Sequence, residues 1–282
     1  MKIKTFYKIF YEHRVKKANR LLRIYLFFIL PFKYLYNLCF VPRIIDLDFL
    51  EKNNKDLLSK DLNYLFDHFN SDKGNFFENQ YVHPSKRKKE KIQAHGYGNF
   101  YEKYFKKIKD QKLNVLEIGS FHGNASASLF FYFKNSFLYA ADIYPDLFRY
   151  KSKRIKNFFV DSSKEFSIER NIINMPVMFD IIIEDASHSL KDQIISLFLL
   201  FKKVKSGGLF IIEELDFPDT RKDMNLKNEK PTLREIFEKI KKKEYFDSRY
   251  ILPEDKKYFL DNLSYIEVFK GNFNEIAIIQ KK

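Results

Sequence analysis

Acidic side chains and one histidine stand at the ends of two apolar segments in the second half of the chain. The segment FDIIIEDASH supplies Asp185 and, three positions later, His188, and the segment GGLFIIEEL supplies the adjacent carboxylates Glu213 and Glu214. If these segments are neighbouring strands, three carboxylates converge, and a divalent cation such as Mg²⁺ would relieve their repulsion. A competing interpretation has no metal, with one carboxylate bound to a helix N-terminus or an arginine. His188 is a candidate base, or else a helix-start residue bonded to backbone.

A turn with two glycines follows an earlier apolar segment, in VLEIGSFHG. Glu117 ends the segment, and Gly119 and Gly123 would let the backbone turn tightly beside a ligand. Phe121 stands where the dinucleotide fingerprint has its second glycine, which disfavours a pyrophosphate and makes NAD a poor ligand. The pattern favours a nucleoside without phosphates, held by acids that accept hydrogen bonds from its hydroxyls and ammonium.

Acidic residues also follow the next two apolar segments. Asp142, in YAADIY, comes 25 residues after Glu117, where a carboxylate accepts hydrogen bonds from both ribose hydroxyls. Asp161 and Ser162, in FFVDSS, are candidates to bond an exocyclic adenine amine. Each aspartate is alternatively a helix N-cap. We favour the ligand role for Asp142 and leave both roles open for Asp161.

The elements that position these residues form an α/β pattern. Strands are expected at 113–118, 137–142, 157–160, 179–184, 208–213, 264–270 and 274–280. The first five alternate with helices, which is typical of a parallel sheet. The last two are joined by Lys270-Gly271-Asn272, too short for a crossover, so they form an antiparallel hairpin. We predict a doubly wound, mostly parallel seven-stranded Rossmann-like sheet with this hairpin at its edge, an N-terminal helical extension, and a site at the carboxyl ends of the strands.

These motifs resemble those of two related groups of enzymes. The order E-x-G-x-x-x-G, then an acid after the second strand, then an edge hairpin, resembles the class I S-adenosylmethionine (SAM)-dependent methyltransferases over about 95–282. With SDKG at 71–74 and HGYGNFYEKYF at 95–105, the acidic motifs resemble the mycinamicin-type sugar O-methyltransferases. The resemblance implies a SAM-dependent and metal-dependent O-methyltransferase that acts on a hydroxyl of a sugar or glycoside, in a polysaccharide, a glycolipid or a natural product.

The resemblance also implies roles for single residues. Metal ligands are expected at Asp185, Glu213 and Glu214, with Mg²⁺ or another divalent cation, and His188 is expected to be the base beside Asp185. Cofactor contacts are expected from Glu117, Gly119, Gly123, Asp142, Asp161 and Ser162. The family more often has Glu-Asp where this chain has two glutamates. Residues 75–94, with the basic run KRKKEK, are interpreted as an insertion.

Metal and base are both needed for this chemistry. A sugar hydroxyl has a pKa comparable with that of water, about 15.7, and histidine has one near 6.5, so full proton transfer costs about 12 kcal/mol. A divalent cation on the oxygen lowers that difference, and the histidine then removes the proton as the methyl group is attacked.

Charge and cysteine content limit the partners. The net charge is +14, and residues 1–45 hold ten Lys or Arg against Glu12 alone. Such clusters attract phosphate on nucleic acid or on anionic lipid, although A/T-rich codons would also enrich lysine. The single Cys39 fits a reducing, cytoplasmic compartment. The apolar stretch 21–41 is interrupted by charged residues and proline, so a membrane span and an export signal are disfavoured.

Three parts of the chain are distinguished on this basis. They are a basic, aromatic-rich helical arm at 1–60, a cofactor-covering segment at 61–111 and the methyltransferase domain at 112–282. The arm either lies peripherally on the inner membrane face or packs on the catalytic domain or a second subunit, and we favour packing. A loop within 216–262 is expected to overhang the site as a selector or lid.

Two rival functions remain at this stage. One is a nucleic-acid methyltransferase, disfavoured because no Asn/Asp-Pro-Pro-Tyr motif is present. The other is a non-catalytic SAM-binding, membrane-associated protein. The favoured partners are a glycoside acceptor and further copies of the chain in a homo-oligomer.

Overall fold

The computed structural model describes residues 1–40, 43–78 and 90–282. Within these ranges the helices are Ile3–Phe10 (α1), Glu12–Lys17 (α2), Arg20–Leu38 (α3), Leu47–Asn53 (α4), Leu62–His68 (α5), Gly98–Phe105 (α6), Asn124–Tyr132 (α7), Glu165–Ile168 (α8), Leu190–Leu200 (α9), Phe217–Thr220 (α10), Leu233–Lys241 (α11) and Pro253–Asn262 (α12). The strands are Ile45–Asp46 (β1), Phe76–Glu78 (β2), Lys91–Gln93 (β3), Asn114–Ile118 (β4), Phe137–Asp142 (β5), Tyr150–Lys151 (β6), Ile155–Phe159 (β7), Phe179–Glu184 (β8), Val204–Ile212 (β9), Leu263–Lys270 (β10) and Glu275–Lys281 (β11).

The main sheet has seven strands in the order β10-β11-β9-β8-β4-β5-β7. The pairs β7-β5, β5-β4, β4-β8 and β8-β9 are parallel, and β11 pairs antiparallel with both β9 and β10. The predicted fold class is confirmed, including the edge hairpin. The chain moves outward from β4 to β7 and then returns to β8 on the other side of β4. Strand order therefore reverses between β4 and β8, where sheets of this kind bind ligands.

Both faces of the sheet are covered, which explains the continuous apolar runs in its strands. Alternate residues of β8 face opposite layers: Ile182 packs with α9, α11 and α12, whereas Ile181 and Ile183 pack with α5, α6 and α7. Leu62 and Phe66, from α5, are fully buried in the second layer. The segment ahead of the predicted methyltransferase domain thus contributes directly to the core under the site.

The arm formed by α1, α2 and α3 has a small core of its own. Phe6, Tyr11, Ala18 and Leu26 are buried there. The predicted insertion at 75–94 lies partly outside the described residues, and this includes the KRKK portion of its basic run. Its described flanks, β2 and β3, pair antiparallel.

At Gly119 the turn after β4 leaves no room for a side chain. Its φ is +96°, and a Cβ there would lie 1.8 Å from the backbone oxygen of Asp185. Gly207 also has a positive φ, +74°, but a Cβ there meets no atom within 4 Å. The two glycines therefore share the backbone constraint and differ in the space around them.

We predict that Gly119→Ala lowers the free energy of unfolding by at least about 3 kcal/mol, because steric conflict is added to backbone strain. Gly207→Ala is the matched control, with an expected loss of about 1 to 2 kcal/mol from strain alone. Urea denaturation followed by circular dichroism measures both. Equal losses would show that the clash with the Asp185 carbonyl is relieved at little cost.

Candidate active site

A cleft of about 450 Å³ opens at the carboxyl ends of β4, β5 and β8, at the point where strand order reverses. Its lining includes six of the predicted site residues, namely Gly119, Asp142, Asp161, Ser162, Asp185 and His188. Glu117 lines a small neighbouring cavity together with Asp72 and Lys73. Gly123 is the residue directly before α7, and its φ of +83° gives the left-handed backbone from which that helix begins. A larger cavity of about 600 Å³ lies along α11 among exposed charged side chains.

Asp142 is held at the cleft wall by two backbone hydrogen bonds. The backbone N–H of Phe121 donates to Oδ2 at 2.8 Å, and that of Tyr144 donates to Oδ1 at 2.6 Å. Burial raises the pKa of Asp142, against the lowering effect of these two bonds. A carboxylate oxygen has two acceptor sites, so each oxygen keeps one for a ligand hydroxyl.

Asp161 does not cap a helix: the residue before Glu165–Ile168 is Lys164, with no side-chain cap, so the ligand role of Asp161 stays a prediction. Its carboxylate accepts hydrogen bonds from the Ser163 backbone at 3.2 Å and from the Ser163 hydroxyl at 2.6 Å, and it pairs with Lys164 at 2.9 Å. These are local bonds of a turn. Asp161 and Ser162 nevertheless line the cleft. They follow β7, at one edge of the sheet, whereas Asp185 follows β8, three places away in the strand order.

Lys73, from the SDKG segment, lies among the predicted metal ligands. Its Nζ donates to Asp185 Oδ2 and to Glu213 Oε2, the latter at 2.7 Å, and its side chain is 3% exposed. Tyr101 donates its hydroxyl to the other oxygen of Glu213. Burial lowers the pKa of Lys73, but Asp185 and Glu213 outweigh this effect and raise it well above its usual range. Lys73 is therefore a buried ammonium that offsets two of the three carboxylates.

Glu214 points to a different set of partners. Its Oε1 lies 3.3 Å from His95 Nε2 and 3.5 Å from the Tyr97 hydroxyl. Its Oε2 lies 3.6 Å from His188 Nδ1, and His188 Nε2 lies 3.6 Å from Asp185 Oδ1. One ligand atom from each of Asp185, His188 and Glu214 lies within 4.8 Å of the others. We name these three residues the acid–histidine cluster.

The acid–histidine cluster has the donor set of a divalent metal site. Glu214 Oε2 and His188 Nδ1 are buried and have no hydrogen-bond partner, which is costly unless a ligand meets them. Carboxylate oxygen and imidazole nitrogen are common ligands of divalent metals. The residues present therefore fit a metal ion, with Asp185 and Glu214 as the oxygen donors. Glu213, the third predicted ligand, is bonded to Lys73 and Tyr101, and its role as a ligand stays a prediction.

Backbone strain helps to aim the cluster. His188 has a φ of +56° and Glu214 one of +48°, values that non-glycine residues adopt at a cost. Such strain is concentrated at functional sites. The left-handed backbone at Glu214 also accounts for the divergence of two adjacent glutamates, because it turns the chain sharply after Glu213.

The pKa shifts at the site leave His188 able to accept a proton beside the acidic side chains. Burial lowers the pKa of His188, although Asp185 opposes this effect, so its imidazole is neutral at pH 7. Burial, followed by the charge of Asp185, raises the pKa values of Glu213 and Glu214. Burial also raises the pKa of Glu117 to about 7, while Ser126 donates a hydrogen bond to it.

Several residues that complete the site have no contacts predicted from their sequence positions. His95, Tyr97 and Tyr101 belong to the motif HGYGNFYEKYF, and Lys73 belongs to SDKG, so these two motifs are the sequence signal for them. In the segment expected to overhang the site, the Phe217 ring meets the His188 ring edge-on at 5.3 Å. Arg221, in the same segment, is paired with Asp223 at 2.7 Å.

We predict that Lys73→Met lowers the free energy of unfolding by about 3 to 5 kcal/mol, because buried Glu213 and partly buried Asp185 lose their ammonium partner. Adding Glu213→Gln to this variant restores part of the loss. The control is Lys103→Met, whose ion pair with Glu267 is exposed and contributes less than about 1 kcal/mol. Urea denaturation in a chelating buffer measures all three. Equal losses for the two lysine variants would contradict the structural role of Lys73.

No family model matches this chain, but a curated protein is similar to part of it. That relative is an 8-demethyl-8-alpha-L-rhamnosyl tetracenomycin-C 2'-O-methyltransferase from Streptomyces olivaceus, 29% identical over 128 residues. The match covers 43% of this chain and 33% of the relative. The chain thus spans about a third of the length of the curated relative that it matches.

Solved structures of MycE, a methyltransferase from the mycinamycin biosynthetic pathway, are similar over more of the chain. The MycE complex with Mg and SAH has a TM-score of 0.58 at 20% identity, covering 79% of this chain and 54% of MycE. The complex that also contains mycinamycin VI has the same TM-score at 19% identity. This similarity and the sheet order confirm the family resemblance seen in the motifs: the chain has the fold of the class I SAM-dependent methyltransferases and is similar to the mycinamicin-type sugar O-methyltransferases.

Proposed function

We propose that this protein is a SAM-dependent and divalent-metal-dependent O-methyltransferase that acts on a hydroxyl of a sugar or glycoside. The observation that carries the proposal is the continuity of two sites. Asp185 and His188 belong both to the lining of the cleft and to the acid–histidine cluster. A methyl donor in the cleft would therefore lie directly beside a metal-binding acid and a neutral base.

The cleft suits the nucleoside part of SAM. A volume of about 450 Å³ is in the range of small-ligand sites. Asp142 would accept from the ribose hydroxyls through the acceptor sites left after its two backbone bonds. Asp161 and Ser162 would face the adenine amine. Glu117, in the neighbouring cavity, would accept from the ammonium of the methionine part.

Asp185 and Glu214 would hold the divalent cation. When bound, such a cation acts as a Lewis acid that lowers the pKa of a hydroxyl beside it. Lys73 keeps Asp185 and Glu213 in place before any ligand enters. Glu213 also accepts a hydrogen bond from the Tyr101 hydroxyl. It would therefore hold the Tyr101 side chain in place whether or not it contacts a metal ion.

His188 would take the proton from the acceptor hydroxyl. Its low pKa keeps the imidazole unprotonated and able to accept. As the acceptor oxygen forms a bond to the methyl carbon, the bond from that carbon to the sulfonium sulfur breaks. The products are a methyl ether, S-adenosylhomocysteine and protonated His188. Contact with the Phe217 ring restricts the rotation of the imidazole.

The acceptor and the setting are parts of the same proposal. The curated relative is described as acting on a rhamnosyl tetracenomycin, and one MycE structure contains mycinamycin VI, which supports a glycoside acceptor here.

We place the reaction in the cytoplasm because Cys39 is free, and we retain a homo-oligomer as a hypothesis. A nucleic-acid acceptor is disfavoured because five acids line the cleft and its neighbour, and acids repel phosphate.

We predict that His188→Ala lowers the turnover number at least about 10²-fold while the dissociation constant of SAM changes little, because the imidazole moves a proton and does not hold the cofactor. Asp142→Asn is the complementary variant and weakens SAM binding. Methyl transfer to a panel of glycosides and calorimetric SAM titration measure the two effects. Full methyl transfer by His188→Ala would contradict the role of His188 as the base, and SAM binding by the wild type without any methyl transfer would favour the non-catalytic alternative.

The metal dependence of activity distinguishes the roles of Glu213 and Glu214. We predict that EDTA abolishes methyl transfer and that Mg²⁺ restores it, because the uncoordinated hydroxyl is too weak an acid for histidine. Glu214→Gln should raise the Mg²⁺ concentration needed for half activity by at least about tenfold. Glu213→Gln should raise it less, since Glu213 is bonded to Lys73 and Tyr101. Direct Mn²⁺ binding followed by electron paramagnetic resonance provides a readout apart from activity, and full activity in EDTA would contradict the metal requirement.

A further inference from the structure

The outer face of α3 carries an exposed apolar stripe. Side chains spaced as neighbours on one helix face lie at least half exposed: Leu21, Tyr25, Phe28, Phe32 and Leu35. The opposite face of α3 is occupied, since Leu26, Ile29 and Tyr34 pack on α1 and α2. We name the exposed set the arm stripe. A contiguous apolar surface of this kind marks an interaction site.

The arm around the stripe is strongly basic. Its exposed cationic side chains are Lys2, Lys4, Lys8, Arg14, Lys16, Lys17, Arg20 and Arg23. The acid within 1–40 is Glu12, which pairs with Lys16 at 3.2 Å. Apolar aromatic groups beside clustered lysine and arginine match the boundary between acyl chains and anionic head groups. A second copy of the same arm would instead bring two clusters of positive charge together.

The inner packing of α3 favours a position along the membrane surface over a span. By length and composition, α3 is the one helix among the described residues that could cross a bilayer. However, Arg23 donates to the Ala18 carbonyl at 3.0 Å, and Lys33 lies over the Tyr11 ring at 5.3 Å. Both contacts bind α3 to the basic helices beside it. Insertion would break this core or draw those charges into hydrocarbon.

The arm is attached next to the cleft. Thr5 Oγ1 donates to Asp146 Oδ1 at 2.8 Å, and the backbone N–H of Lys2 donates to the other oxygen of the same carboxylate. Ile9, on α1, is part of the cleft lining. A partner bound to the arm therefore lies within one short helix of the cleft opening.

We propose that the arm docks on an anionic lipid bilayer, with the arm stripe in the interface plane and its lysines and arginines on the head groups. This docking does not depend on the proposed reaction. It brings the cleft opening to the membrane surface through α1.

Co-sedimentation of the full chain with vesicles tests the proposal. We expect binding to vesicles that contain phosphatidylglycerol, little binding to pure phosphatidylcholine, and a decrease with added salt. Phe28→Asp with Phe32→Asp should lower the bound fraction at least about tenfold. The matched control is Phe166→Asp with Leu226→Asp, two residues outside the arm that are 70% and 86% exposed. Thermal unfolding midpoints should be unchanged in both pairs, since all four side chains are exposed.

Several outcomes would overturn the proposal. Failure to pellet with anionic vesicles, or equal pelleting of the arm variant and the control variant, would exclude the stripe as a lipid contact. Resistance to alkaline carbonate extraction from membranes would show a span instead. A dimer in light scattering that is lost in the Phe28→Asp, Phe32→Asp variant, without vesicle binding by the wild type, would assign the stripe to a second copy.

Discussion

The buried ammonium of Lys73 is the interaction on which the site depends. Parallel pairing of β8 with β9 places Glu184 opposite Ile212, so the next residues of the two strands, Asp185 and Glu213, emerge side by side. Two carboxylates at that spacing, Glu213 buried and Asp185 partly buried, repel each other unless a cation joins them. Lys73 supplies that cation from a segment remote in sequence, with a direct bond to each acid.

The same ion pair fixes the two segments that close the site. The backbone carbonyl of Lys73 accepts hydrogen bonds from the N–H groups of Tyr97, at 2.9 Å, and Gly98, at 3.2 Å. SDKG and HGYG are thus tied together at the point where Lys73 reaches the acids. This arrangement carries Tyr101 to Glu213 and Tyr97 towards Glu214. Lys73 therefore both balances the charge of Asp185 and Glu213 and positions the SDKG and HGYG segments over the site.

Adjacent glutamates acquire different roles because of the backbone between them. Glu213 continues the line of β9 into the buried ion pair, whereas the left-handed conformation of Glu214 turns its carboxylate towards His95 and His188. Asp185 and Glu213 share the ammonium of Lys73, whereas Glu214 Oε2 and His188 Nδ1 have no hydrogen-bond partner. These unmet polar atoms beside Asp185 are the reason why the proposed metal is assigned to Asp185 and Glu214.

Much of the fold was predictable because its signals are local. Apolar runs, glycine turns and a three-residue connection define the seven strands and their hairpin, and strand ends in a parallel sheet share one edge, which brought Asp142, Asp185 and the two glutamates to the cleft region. The contacts of Lys73 were not predictable, since they join residues 112 and 140 positions apart. Nor was the separation of Glu213 from Glu214, which rests on one backbone conformation. The spacing of apolar residues along a segment indicates which of its faces packs against the neighbouring layer. The pairing of buried charges, in contrast, is decided only when distant segments pack together.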